Sequence, residues 1–228
     1  STLSIWLTRI NVDLSTIGLF ALTQLPWTLK FLWAPFIDNF KIPYLTNFFG
    51  HRKAWLLIIQ LFLCLSILLL GYSDPSNYLE FTAICSLMVA FFSASQDIVI
   101  DAYRRESLED EEQTLGASAY VLGYRVGMIL SGGIGLILAD YMSYQDVYMI
   151  MSSIIFLGIL TTIISDEPKN VGEPSTFITA VINPFIEFFS RHKNNNKIDY
   201  WVPINILMFI LLYKVGDTMA HALSTNFY

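Results

Sequence analysis

Two carboxylates, Asp97 and Asp101, sit at the end of an apolar run that begins near Phe81 and closes on Arg104-Arg105-Glu106. Four residues apart, they share one face of a helix. An ionisable group inside a hydrocarbon-buried helix is costly, and such groups are paired or mark a solute pathway or proton relay. Two readings stand for Asp101. Arg104 and Arg105 follow at i+3 and i+4 in the favourable acid-before-base order, which would make a helix-end ion pair. Alternatively, Asp101 belongs to the pathway with Asp97. Asp97 lies one turn deeper and has no base beside it on its own helix, so its partner must come from another segment. Lys30 is the candidate, because the two residues lie at similar depth in their runs. With a cation beside it, Asp97 is a candidate proton site.

Lys30 follows Pro26 by one turn, and a proline kink next to a charge suits a pore-lining segment. A lysine snorkelling to the membrane edge is the alternative. Near the end of the chain, Lys214, Asp217 and His221 fall at i, i+3 and i+7 on one helix face. That set could bind a charged solute or pass a proton, or it could be a neutralised pair holding two helices. Between these lies a repeat of small residues, Ala119, Gly123, Gly127, Ser131 and Gly135, each four after the last. Such a stripe lets helix backbones approach closely in lipid, so it predicts a packing face. Arg125, with Tyr124 beside it, points away from that face.

The elements that must carry these residues are membrane spans. Of 228 residues, 54% are hydrophobic and only 14% charged, with mean hydropathy +0.53. Soluble domains carry about 25% charged residues. On the length rule for crossing a bilayer, six runs are expected: 14–35, 54–72, 78–100, 113–138, 144–165 and 200–223. Residues 1–13 read as the tail of a helix, and both ends look cut. No secretory leader is expected. Nine of the 13 Lys and Arg residues fall in the connections 36–53, 102–113 and 166–199, whereas 73–77 and 139–143 hold none. The charge bias places the three basic loops in the cytoplasm. Residues 1–165 then form one transmembrane half, 166–199 a central cytoplasmic loop, and 200–228 the first helix of a second half. The apolar middle of that loop, 177–189, reads as an interfacial helix or as a loop packed on helix ends.

Other chemistries find little support. No basic patch suggests nucleic acid. There is no His/Cys metal spacing, Gly-rich phosphate loop or G-x-S-x-G, so neither enzyme nor cofactor is expected. A magnesium-dependent membrane transferase would need more carboxylates than Asp97 and Asp101, and remains the alternative from another class. Cys64 and Cys85 lie in apolar runs and are expected as buried, inert thiols.

The first basic loop reads Trp33-Ala34-Pro35-Phe36-Ile37-Asp38, then Gly50-His51-Arg52-Lys53. This resembles the signature of the major facilitator superfamily between its second and third helices, with an inserted segment. Leu25-to-Pro35, Ser93-to-Glu106 and Gly123-to-Met128 narrow the resemblance to its AmpG-type muropeptide permeases, related to acetyl-coenzyme A transporters. The resemblance implies an all-α bundle of two halves working by alternating access, of which this chain would be helices two to seven. It implies proton symport of anhydro-muropeptides across the bacterial inner membrane for peptidoglycan recycling. Asp38, Gly50, Arg52 and Lys53 match the loop motif that gates the cytoplasmic side. For an anionic glycopeptide substrate, Lys30, Arg125 and Lys214 are fitting counter-charges, and Asp97, Asp217 and Gln96 fitting hydrogen-bond partners. Protons and membrane lipid are the other partners, and a monomer is expected. A carrier of acetyl-coenzyme A or another anionic metabolite is the alternative in the same class, and a non-transporting remnant a further one.

Overall fold

In the computed structural model the described residues are 2–168, 186, 188–189, 193–194, 197–198, 201–209 and 212. Two compact units divide the chain, Ser1–Pro174 and Ser175–Tyr228. The first is an all-α membrane bundle. Among the described residues, four helices are long and apolar enough to cross a membrane: His51–Tyr72, Leu79–Ser107, Gln113–Tyr141 and Tyr144–Ile164. In the second unit, residues 201–209 are helical, and Lys193–Asn194 pairs antiparallel with Lys197–Ile198.

The first expected span is helical but broken. A short α1 (Thr2–Arg9) precedes α2 (Leu14–Leu19), a 3-10 turn (Phe20–Gln24), α3 (Leu25–Leu29), a second 3-10 turn (Lys30–Leu32) and α4 (Ala34–Asn39). Pro26 and Pro35 each stand in the first turn of a new segment. That position tolerates the missing N–H, whereas a proline deeper in a helix breaks its ladder. Pro26 therefore restarts the helix rather than kinking a continuous one. Lys30 sits where α3 passes into the 3-10 turn.

Next come α5 (Leu45–Phe49), α6 (His51–Tyr72) and α7 (Leu79–Ser107). The apolar run ends near Ile100, but the helix continues for two further turns. Asp97, Asp101, Arg104 and Arg105 all lie on α7, and the expected loop 102–113 shrinks to residues 108–112. The next span comprises α8 (Gln113–Met128), a π-helical stretch (Ile129–Ile134) and α9 (Gly135–Tyr141), and the last long helix is α10 (Tyr144–Ile164).

α6 is the central post, packed on α7 and on α10. One apolar cluster joins Trp6, Leu70, Cys85 and Tyr148, and a second joins Ile37, Leu56, Ile59 and Val99. Between α6 and α10 there are small polar contacts as well. Cys64 Sγ lies 3.1 Å from Ser152 Oγ, and Thr162 Oγ1 donates to Gln60 Oε1 at 3.1 Å. In lipid, where there is no hydrophobic drive between helices, such groups hold them together. Both cysteines are buried and free of disulfide bonds.

The small-residue stripe behaves differently from the expectation. Gly135 is buried against Met151, but a Cβ placed on Gly123 or Gly127 would meet no described atom within 4 Å. The face is smooth, and no described element covers its middle. Most of the segment 177–189 and most of the run 200–223 lie outside the described residues, so neither the interfacial helix nor the full sixth span can be placed.

Candidate functional site

Three elements bring Lys30, Asp97 and Tyr120 together. Lys30 Nζ pairs with Asp97 Oδ2, and Tyr120 Oη donates to Asp97 Oδ1. The two carboxylate oxygens are thus used separately, one by the segment after α3 and one by α8. Asp97 is the more enclosed partner, its side chain 14% exposed against 35% for Lys30. Lys30 Nζ also lies 5.9 Å from the centre of the Trp27 ring. Two turns towards the helix end, Arg104 stacks 5.8 Å from the Tyr120 ring centre, and its Nη2 is 3.6 Å from Asp101 Oδ1. Arg105 instead reaches Asp110 at 3.6 Å. Asp101 therefore takes the i+3 pairing and not the i+4 one. The polar groups follow in the order lysine, aspartate, tyrosine hydroxyl, arginine, aspartate.

Trp27 and Ser93, one turn from Lys30 and Asp97, also line a cavity of about 320 Å³. Thr2, Gln24, Ser86, Ser131 and Tyr148 add polar groups to a lining that is otherwise mainly apolar. A space with hydroxyls, an amide and an indole can hold a neutral polar group, and the adjoining Lys30–Asp97 pair can hold a charged one.

Gln96 faces the other way. It lines a separate pocket with Gln60, Tyr103 and Thr162, and its Oε1 is buried with no hydrogen-bond partner among the described residues. Helix geometry explains the separation, since neighbours on a helix point about 100° apart. Tyr124 and Arg125 are exposed and touch neither group. Lys214, Asp217 and His221 lie outside the described residues.

A second polar cluster forms at the opposite end of α6 from the 73–78 turn. Arg52 is 5% exposed. Its Nη1 donates to Asp38 Oδ1 at 2.6 Å, while Nη2 and Nε reach the two oxygens of Glu106 at 2.5 and 2.9 Å. One guanidinium thus ties α4, α6 and the end of α7, a fork geometry that lysine could not supply. Glu167, just past α10, accepts from the backbone N–H of Arg52 at 2.7 Å and of Lys53 at 3.1 Å. A carboxylate there satisfies free N–H groups and complements the helix dipole. Gly50 has φ +88°, and its face is occupied by the Glu167 side chain, so a Cβ would be strained and would collide. Lys53 Nζ donates to the carbonyl of Ile163 at 3.1 Å and to that of Ser165, closing α10. Asp38, Gly50, Arg52 and Lys53 are therefore one assembly, with Glu106 and Glu167 as members that the motif alone did not name.

A family model described as Major Facilitator Superfamily matches residues 1–227. The chain is 41% identical over 228 residues to the "Anhydromuropeptide permease" of Escherichia coli (strain K12), covering 99% of this chain and 44% of that protein. It is 36% identical over 230 residues to an uncharacterized protein of Haemophilus influenzae, 99% of this chain and 51% of that one. A Rickettsia felis protein named AmpG 4 is 32% identical over 236 residues, covering 100% of this chain and 55% of that protein. The chain spans about half the length of the curated relatives it matches.

Proposed function

The chain belongs to the major facilitator superfamily, and on that footing we propose that it is part of a secondary transporter carrying anhydro-muropeptides across the bacterial inner membrane. The observation that carries this reading is the Lys30–Asp97 pair beside a cavity whose mainly apolar lining carries several hydroxyls, an amide and an indole. An anhydro-muropeptide combines neutral, hydroxyl- and amide-rich sugars with anionic peptide carboxylates, and the two neighbouring environments suit those two halves. The 41% identity to a protein named as an anhydromuropeptide permease supports the same substrate.

Residues 1–165 make up most of the transporter's first half on this reading, with the basic connections on the cytoplasmic side. Residues 166–199 are the central loop, and 200–228 open the second half. Import is coupled to protons as symport, serves peptidoglycan recycling, and runs in a monomer. The Arg52 assembly gates the cytoplasmic side by bracing the ends of four segments of the first half, so that this half moves as one body when alternating access opens and closes that side. Lys30, Asp97 and Asp101 line the pathway on this reading, with Arg125, Tyr124, Lys214, Asp217 and His221 as further members, while Gln96 belongs to its separate pocket.

The test is uptake of radiolabelled anhydro-muropeptide by cells that lack their own permease and express the full-length protein. Accumulation that collapses with a protonophore supports proton-coupled import. Failure of uptake, with the protein shown to be in the membrane, removes the muropeptide assignment, and competition with anionic metabolites such as acetyl-coenzyme A then identifies the substrate class.

A further inference from the structure

We infer that Tyr120 is the positioning residue of the substrate site: it holds Asp97 through Oδ1 so that Lys30, bound through Oδ2 alone, can be surrendered to an anionic group of the substrate. The inference rests on reading the Lys30–Asp97 pair as part of that site. Its basis is the division of labour on one carboxylate. Because they occupy different oxygens, Asp97 keeps its place and its hydrogen bond from Tyr120 when Lys30 leaves.

Exposure indicates which partner moves. Lys30 is the open one, on a short 3-10 turn next to the cavity, whereas Asp97 is enclosed on the long α7. An incoming carboxylate meets the ammonium first. Tyr120 is also among the side chains that tie α8 to α7, whereas a Cβ placed on Gly123 or Gly127 beyond it would meet no described atom within 4 Å. Arg104 over the face of the Tyr120 ring adds a cation–ring attraction that holds the phenol in place.

A bare carboxylate left half-buried would be costly. Two things reduce that cost here. The Tyr120 O–H remains on Oδ1, and the vacated Oδ2 can take one proton from the side on which the substrate entered. One proton then enters for each substrate anion that displaces Lys30, no covalent bond to carbon changes, and the proton leaves Oδ2 when Lys30 returns. The charged and titratable groups that face Asp97 among the described residues are Lys30, Tyr120, and Asp101 and Arg104 on its own helix.

Two measurements on the full-length protein test this. In proteoliposomes, Tyr120→Phe is expected to leave substrate binding near that of the unsubstituted protein, lower the maximal uptake rate about tenfold, the effect of losing one hydrogen bond to a charged group, and alter the pH profile of uptake. Combined with Asp97→Asn it should add nothing further, because both act through one carboxylate. Unchanged rate and pH profile, or fully additive losses, overturn the inference. The second measurement needs no substrate. Carbodiimide labelling of Asp97, read by peptide mass spectrometry, should be several-fold faster in Tyr120→Phe, since Oδ1 is no longer covered by the phenol and the carboxylate is open to the reagent. Equal labelling overturns the inference whatever the substrate proves to be. Absent uptake by the unsubstituted protein, with the labelling difference present, instead overturns the muropeptide reading and leaves the role of Tyr120 standing.

Discussion

Arg52 and Glu106, 54 positions apart, are joined by two near-parallel hydrogen bonds of 2.5 and 2.9 Å, while the remaining terminal nitrogen of the same guanidinium reaches Asp38. Arg52 is buried and Glu106 nearly so, the latter 12% exposed. The arrangement is a lock with one key residue. Its strength depends on the planar fork of arginine more than on the positive charge.

Arg52→Ala should therefore destabilise the protein by about 3 kcal/mol, because Glu106 is left half-buried and unpaired. Arg52→Lys keeps the charge but reaches one carboxylate at a time and should recover only part of the loss. Thermal unfolding in detergent compares the three proteins. Equal midpoints for Arg52→Lys and the unsubstituted protein would show that charge alone suffices.

Gly50 and Glu167 should behave as one unit. Glu167→Ala removes the carboxylate cap of α6 and should cost about 1 kcal/mol. Gly50→Ala forces a left-handed backbone on alanine and pushes the same carboxylate aside. The double substitution should cost little more than Gly50→Ala alone, since the second change removes a cap already displaced. Hydrogen exchange at the Arg52 and Lys53 amides should report the loss in both single variants.

How much of this was legible in the sequence follows the range of each signal. A charge inside an apolar run is a local signal, so Asp97 stood out, and depth along the runs was enough to suggest Lys30. Tyr120 carried no such mark, being one of 12 tyrosines in a chain rich in aromatics. Only the packing of α8 on α7 brings its hydroxyl to Asp97. Glu167 lies 115 residues from Arg52, and no spacing rule spans that distance. Hydropathy placed the long helices well but stopped α7 near Ile100, because the helix outruns its apolar part. It also drew one first span, kinked at Pro26, where Pro26 and Pro35 each restart the helix. The glycine stripe showed that a face could be approached closely without saying by what.

Removing Lys30 should cost more than removing the pair. Lys30→Ala leaves Asp97 enclosed without its cation, which should lower stability by about 2 kcal/mol. Lys30→Ala with Asp97→Asn removes the stranded charge and should restore much of the loss. Transport should stay impaired in the double variant, by about tenfold or more, since the counter-charge for the substrate is gone. Thermal unfolding and uptake on the same three proteins separate the two effects. A double variant that recovers both stability and transport would make the pair a structural tie only.

The turn between α6 and α7 should carry its own acid sensitivity. Asn77 Nδ2 donates to Asp74 Oδ2 at 2.6 Å, and the Ser76 amide donates to Oδ1 at 3.1 Å. These bonds favour the ionised form, the Asn77 side chain most strongly, and hold the Asp74 carboxyl below its ordinary value. A carboxyl lowered on folding contributes stability above its unfolded value and loses it as pH falls through the folded one. Protection of the Ser76 and Asn77 amides against hydrogen exchange should therefore be constant through the neutral range and fall only in acid. The site is fully exposed, so the effect should stay local and leave the helices intact. Asp74→Asn should abolish the acid step, because an amide does not titrate. Persistence of the step in that variant would assign it to another carboxyl of the turn's surroundings, with Glu80 on the first turn of α7 the next to substitute.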